Sequence, residues 1–167
     1  MTLLEQVSPS AQNRGLDVLE TLADQRGWVL ETASNGDLIM ESVGDWCTYA
    51  VQFAWSAEFQ SLHITCSLDM RLPNNEASTV NDLLALINAK LWIGHFAVVP
   101  GIHAPAFRHT ILMNGSTASK AAELEDIIQT GLGECERFYP AFQFAAFNNM
   151  PAHDAMACAL FECAGNA

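Results

Sequence analysis

Two neighbouring stretches alternate so regularly that they decide what the rest of the chain must do. In the first, Cys47, Tyr49, Val51, Phe53 and Trp55 share one face, with Thr48, Ala50 and Gln52 on the other. In the second, Leu62, Ile64, Cys66, Leu68 and Met70 alternate with Ser61, His63, Thr65, Ser67 and Asp69. Successive side chains of a strand point to opposite faces, so this pattern predicts a sheet with one buried and one wetter face. The connection Ser56 to Gln60 is of hairpin length, which makes the pair antiparallel. Elements outside it must cover the apolar face.

Those elements follow from periodicity. Leu16, Leu19, Leu22 and Ala23 predict a helix over 13–25, ended by Gly27 in a left-handed cap. Trp28 to Thr32 reads as a strand, Asn35-Gly36 as a two-residue hairpin turn, and Asp37 to Val43 as the returning strand, with Gly44-Asp45 turning into the first alternating stretch. Pro73-Asn74-Asn75 breaks the sheet. Val80, Leu83, Leu84, Ile87 and Leu91 then make a helical stripe, capped by Ser78 or Thr79, with Asp82 as the capping-box acid and Gly94 closing it. His95–Val99 and Ala106–Met113 form a hairpin around 100–105. Setting Val99 opposite Ala106 puts Phe96, Val98, Phe107, His109 and Ile111 on one face. Gly115-Ser116-Thr117 turns into a long helix carrying Leu124, Ile127, Ile128, Gly131, Leu132, Cys135 and Phe138; Pro140 falls inside it or starts a new one. A last, nearly all-apolar helix opens at Pro151. The order α-β-β-β-β-α-β-β-α-α predicts an α+β fold, an antiparallel sheet with helices on one face. Residues 1–12 read as a flexible leader, 13–163 as a single domain and 164–167 as a tail.

Half of the 167 residues are apolar and 16% are charged, which excludes intrinsic disorder and points to apolar area covered by a partner, in a dimer. Seven basic against nineteen acidic residues give −12, a poor balance for binding nucleic acid or anionic membranes. The N-terminus lacks the basic and apolar regions of a signal peptide, and no run reaches membrane-span length. Cys47, Cys66, Cys135, Cys158 and Cys163 are odd in number and apolar in setting, as expected of reduced thiols in a cytoplasmic protein.

Trp46 and Tyr49, Asn88 ahead of Leu91-Trp92-Ile93-Gly94-His95-Phe96, Phe107-Arg108-His109, and Cys135-Glu136-Arg137-Phe138-Tyr139-Pro140-Ala141-Phe142 together resemble the YbjN domain family of bacteria, over about Leu16 to Ala159. The resemblance implies a fold similar to class I type III secretion chaperones, small acidic dimers that bind extended segments of other proteins. Members carry the label of sensory transduction regulators. The family supplies no catalytic residues.

The residues themselves supply none either. His95, His103 and His109 invite a zinc reading, but the register sends His95 and His109 to opposite faces, with His109 donating to a buried group. His153, Cys158 and Cys163 are spaced for packing, and Glu134 and Glu136 would raise rather than lower the Cys135 pKa. Gly131-Leu132-Gly133 reads as close helix packing, not a phosphate loop. Arg108 is expected to ion-pair within the chain. The aromatic run Phe138, Tyr139, Phe142, Phe144 and Phe147 spans more than one helical face and joins Trp92, Phe96 and Arg108 as candidates for the core and a partner interface. The expectation is a non-enzymatic, dimeric protein-binding module without metal or cofactor. The alternative is a sensor or enzyme with a pocket around His95, Arg108 and His109.

Overall fold

A computed structural model describes residues 14–73 and 77–165; the leader, Asn74-Asn75 and the end of the tail lie outside them, as does the Cys163 side chain. The elements are α1 (Arg14–Arg26), β1 (Glu31–Thr32), β2 (Leu38–Val43), β3 (Thr48–Ser56), β4 (Ser61–Ser67), α2 (Ala77–Asn88), β5 (His95–Val99), β6 (Ala104–Leu112), α3 (Thr117–Phe147) and α4 (Ala152–Gly165). This is the expected order. All six strands form one antiparallel sheet, β1-β2-β3-β4-β6-β5. α1, α2 and α3 lie against one face of it and α4 packs on α2 and α3. The fold is α+β.

The core lies between sheet and helices, where the odd positions of β3 meet the even positions of β4. Tyr49, Val51, Phe53, Leu62, Ile64 and Cys66 are all buried. α3 closes over them. Ser116 caps it, its hydroxyl accepting from the Ser119 N–H at 3.3 Å. Gly131 is the point of closest approach: a Cβ there would stand 2.7 Å from the Phe107 ring and 3.2 Å from the Cys66 sulfur. Two links tie α3 to the rest. Arg26 of α1 pairs bidentately with Glu125, and the β2–β3 tip docks where the Asp45 N–H donates to Glu136 Oε1 at 2.8 Å. Gly44 in that tip has no room for a side chain, because a Cβ would run into Glu136 and Tyr49.

Several boundaries differ from expectation for identifiable reasons. The first strand shrinks to Glu31–Thr32, because the Trp28 N–H donates back to Ala23 O at 2.9 Å and finishes the helix instead. The turn at Asn35-Gly36 has three residues, not two: Gly36 N–H donates to Ala33 O and Ala33 N–H to Asp37 O, and Gly36 takes φ +89° as the bulge residue. β4 stops before Met70. α2 is under way at Ala77, so Ser78 and Thr79 do not cap it and Asp82 is no capping-box acid; it ends at Asn88, leaving Leu91 outside and Gly94, at φ +66°, in the turn to β5. The β5–β6 register is slipped by two residues, with Val99 opposite Ala104. A slip of two preserves every face, so Phe96, Val98, Phe107, His109 and Ile111 still share one. Proline marks a loop end by default, yet Pro105 sits inside β6. It faces Val98 at a position that needs no N–H toward β5, while its carbonyl accepts from Leu68 N–H at 3.0 Å. Pro140 lies inside α3.

Asn88 replaces a missing strand. Its Oδ1 accepts from Phe96 N–H at 2.7 Å and its Nδ2 donates to Phe96 O at 3.0 Å, so one carboxamide satisfies the outward backbone pair of the edge strand β5. Asn88→Ala is expected to lower unfolding free energy by about 2 kcal/mol in chemical denaturation, since both Phe96 groups lose a partner. Two glycines in one helix should respond oppositely. Gly131→Ala overpacks against Phe107 and is expected to cost about 1–2 kcal/mol. Gly133→Ala meets nothing within 4 Å and should gain about 0.5–1 kcal/mol from helix propensity; paired melts check both.

Candidate functional site

Most of the residues that carry the family resemblance are fixed in place by packing. Phe96 stands at the centre of an aromatic cluster, its ring centroid 5.9 Å from Phe107, 6.0 Å from Phe138 and 5.5 Å from Phe142. All four are buried. Trp46 on the β2–β3 tip stacks on Tyr139 at 5.9 Å with the rings 7° from parallel. The Tyr49 hydroxyl lies beside Glu136 and Cys47 without closing a hydrogen bond. Cys135 donates its S–H to Cys66 O at 3.6 Å. Burial pushes the Cys66 thiol up to about 12 and Cys135 well above its ordinary value, with the neighbouring Cys66 adding to the latter. Such thiols stay protonated and are poor nucleophiles.

The aromatic run of α3 therefore divides. Phe138 and Phe142 belong to the core, Tyr139 and Phe144 are half-buried, and Phe147 is exposed at the helix end. Two parts of the signature remain open to solvent. Trp92 is 100% exposed and Ile93 42%, in the turn ahead of β5. Arg108 lies on the other side of the sheet, the face turned away from the helices.

The surroundings of Arg108 were not legible beforehand. Instead of pairing with a carboxylate, it donates to His63 Nε2 from Nη2 at 2.9 Å and from Nε at 3.2 Å. A guanidinium can only donate, so Nε2 must accept, and the proton sits on Nδ1, which donates to Thr110 Oγ1 at 2.7 Å. His63 is thus held neutral. Burial lowers its pKa first, and the Arg108 charge lowers it further. The expected intramolecular ion pair of Arg108 is absent among the described residues; its Nε and Nη2 donors go to His63 instead. One alternation of β4 could have hinted at this arrangement: His63 and Thr65 are on its wet face, and β6 brings Arg108 directly opposite Thr65.

His95 pairs across from Arg108 and shares its face, whereas His109 projects to the helix side. The three do not line one pocket. His109 makes no hydrogen bond among the described residues, contrary to the expected donation; burial lowers its pKa and Glu123 opposes that. Among the described residues no three His, Cys, Asp or Glu side chains group as metal ligands. A cleft of about 580 Å³ opens between α2 and the α3–α4 turn, with Thr79, Asp82, Asn149 and His153 on its walls. No described helix is long and apolar enough to cross a membrane.

The lowered His63 and His109 pKa values give stability a pH dependence. Both groups ordinarily titrate near 6.5 and hold less proton when folded. Below that pH the unfolded chain protonates first, so stability is full above about 7.5 and falls as pH drops through 6.5. The melting temperature should decline between pH 7.5 and 5.5, and His63→Gln with His109→Gln should flatten that decline.

No curated protein matches the chain significantly. The model of the YbjN family, described as "Putative bacterial sensory transduction regulator", matches residues 15–144. That span runs from the start of α1 to the last turn of α3 and takes in the whole sheet, the Asn88 clamp and the aromatic cluster; the chain belongs to the YbjN family.

Proposed function

We propose that the chain is a regulatory, non-enzymatic protein-binding module that acts in the cytoplasm as a dimer and captures a segment of a partner protein, in the manner of class I type III secretion chaperones. One observation carries this. Within a signature whose other aromatics are buried or, like Trp46 on Tyr139, stacked on a neighbour, Trp92 is completely exposed with Ile93 beside it, at the entrance to edge strand β5. A large amphipathic ring held out on a turn costs solubility and stabilises nothing in the protomer, and exposed Trp is a residue type enriched at interface hot spots. The acidic surface disfavours nucleic acid as the partner. The family description supports a regulatory role.

Trp92→Ala is expected to leave stability unchanged within about 0.5 kcal/mol, because the side chain touches no core. Affinity capture from a bacterial lysate should then retain a protein on the wild type that Trp92→Ala loses. Equal capture by both, or none by either, removes Trp92 as the anchor and sinks the reading. A ligand-dependent melting shift abolished by His109→Ala would instead favour the sensor alternative.

A further inference from the structure

The sheet face turned away from the helices is electrically polarised. Glu31, Asp37 and Glu41 occupy its β1–β2 margin, and the Arg108 guanidinium, donating to the neutral His63, is the cation of its β4–β6 margin. Between them, β3 and β4 present small or neutral side chains such as Ala50, Gln52, Ala54 and Thr65. The protomer neutralises neither margin. Among the described residues Arg108, Glu31, Asp37 and Glu41 form no ion pair, and the Asp37 carboxylate takes its bonds from the Gln52 and Asn35 amides at 2.6 and 2.8 Å.

We propose that this face is the dimer interface, covered by a second copy of the chain about a two-fold axis parallel to the strands and between β3 and β4. The proposal rests on the dimeric reading above and adds the surface and the geometry. Such an axis exchanges the two margins. Arg108 comes over Ile39 of the partner subunit, between Asp37 of the partner subunit and Glu41 of the partner subunit, and symmetry makes the contact twice. An axis perpendicular to the strands would set acid over acid. Sheets stacked face to face stand about 10 Å apart, and the small central residues permit that approach. Val43 and Leu112, 86% and 57% exposed, lie on the same face and supply apolar area. Five strands about 4.8 Å apart and some six residues long give a footprint of about 500 Å² per copy. The total is close to the roughly 1,000 Å² that a specific interface needs. An unrelated acidic segment would satisfy Arg108 but leave the acidic margin unmatched; a second copy answers both.

Light scattering on the full chain across a concentration series tests this. The wild type is expected to dimerise, and Arg108→Glu and Glu41→Arg are each expected to raise the dissociation constant about tenfold or more. Glu41→Arg leaves the His63 network untouched, so a fold defect cannot explain its effect. Arg108→Glu with Glu41→Arg on one chain should restore wild-type affinity to within about threefold. A wild type that stays monomeric overturns both the dimeric reading and this interface. A dimer that the single variants do not weaken, or that the double variant does not restore, overturns the interface alone.

Discussion

The meeting of Phe96 with Phe107, Phe138 and Phe142 joins the edge of the sheet to its longest helix, and most other placements depend on it. Phe96 comes from β5, Phe107 from the neighbouring β6, and Phe138 and Phe142 from one face of α3 at a spacing of four. Two of the contacts are edge-to-face, at 74° and 84°. Burying each ring stabilises by about 2–3 kcal/mol, and such ring pairs add about 0.5–1.5 kcal/mol. The cluster forms only because Gly131, two turns earlier, lets the helix backbone reach the sheet. Once α3 is set at that depth, Glu136 and Tyr139 lie where the β2–β3 tip can dock, and Glu125 where Arg26 can reach.

Pro140 belongs to the same stretch. It removes the N–H that would have reached the Glu136 carbonyl, so the helix is weakest one turn above the tip's docking point. Its ring is buried, and one turn before it the Glu136 carboxylate accepts from the Asp45 N–H. Local helix strength has given way to contacts with a distant hairpin, which suits a helix that organises the core more than it stands alone.

The pleat and the helical stripes were legible because burial imposes a period on them. The alternation of 47–55 and 62–70 fixed the buried face, and even a hairpin paired two residues out of register kept its faces, since a strand repeats every two residues. Ends were less legible. Trp28 could have entered a strand or finished a helix, and only the carbonyl of Ala23 decides it. Nor could the second role of Asn88 be read, because bonding to Phe96 eight residues on requires knowing where β5 turns back. The candidate site was the least visible part. Arg108 sits among many acids in composition, yet its partner is His63, which lies 45 residues away and meets it only through the β4–β6 pairing. Trp92 looked like its packed neighbours and differs only in lying on the turn beyond α2.

The carboxamide of Asn88 also bears on how these molecules assemble. A sheet with a bare rim recruits strands from its neighbours and grows sideways into filaments. Here the β5 rim is already occupied by a side chain, and the opposite rim is a two-residue strand flanked by carboxylates. Lateral growth is thus blunted at both sides. Association of these molecules is thereby directed away from open-ended strand addition along the sheet.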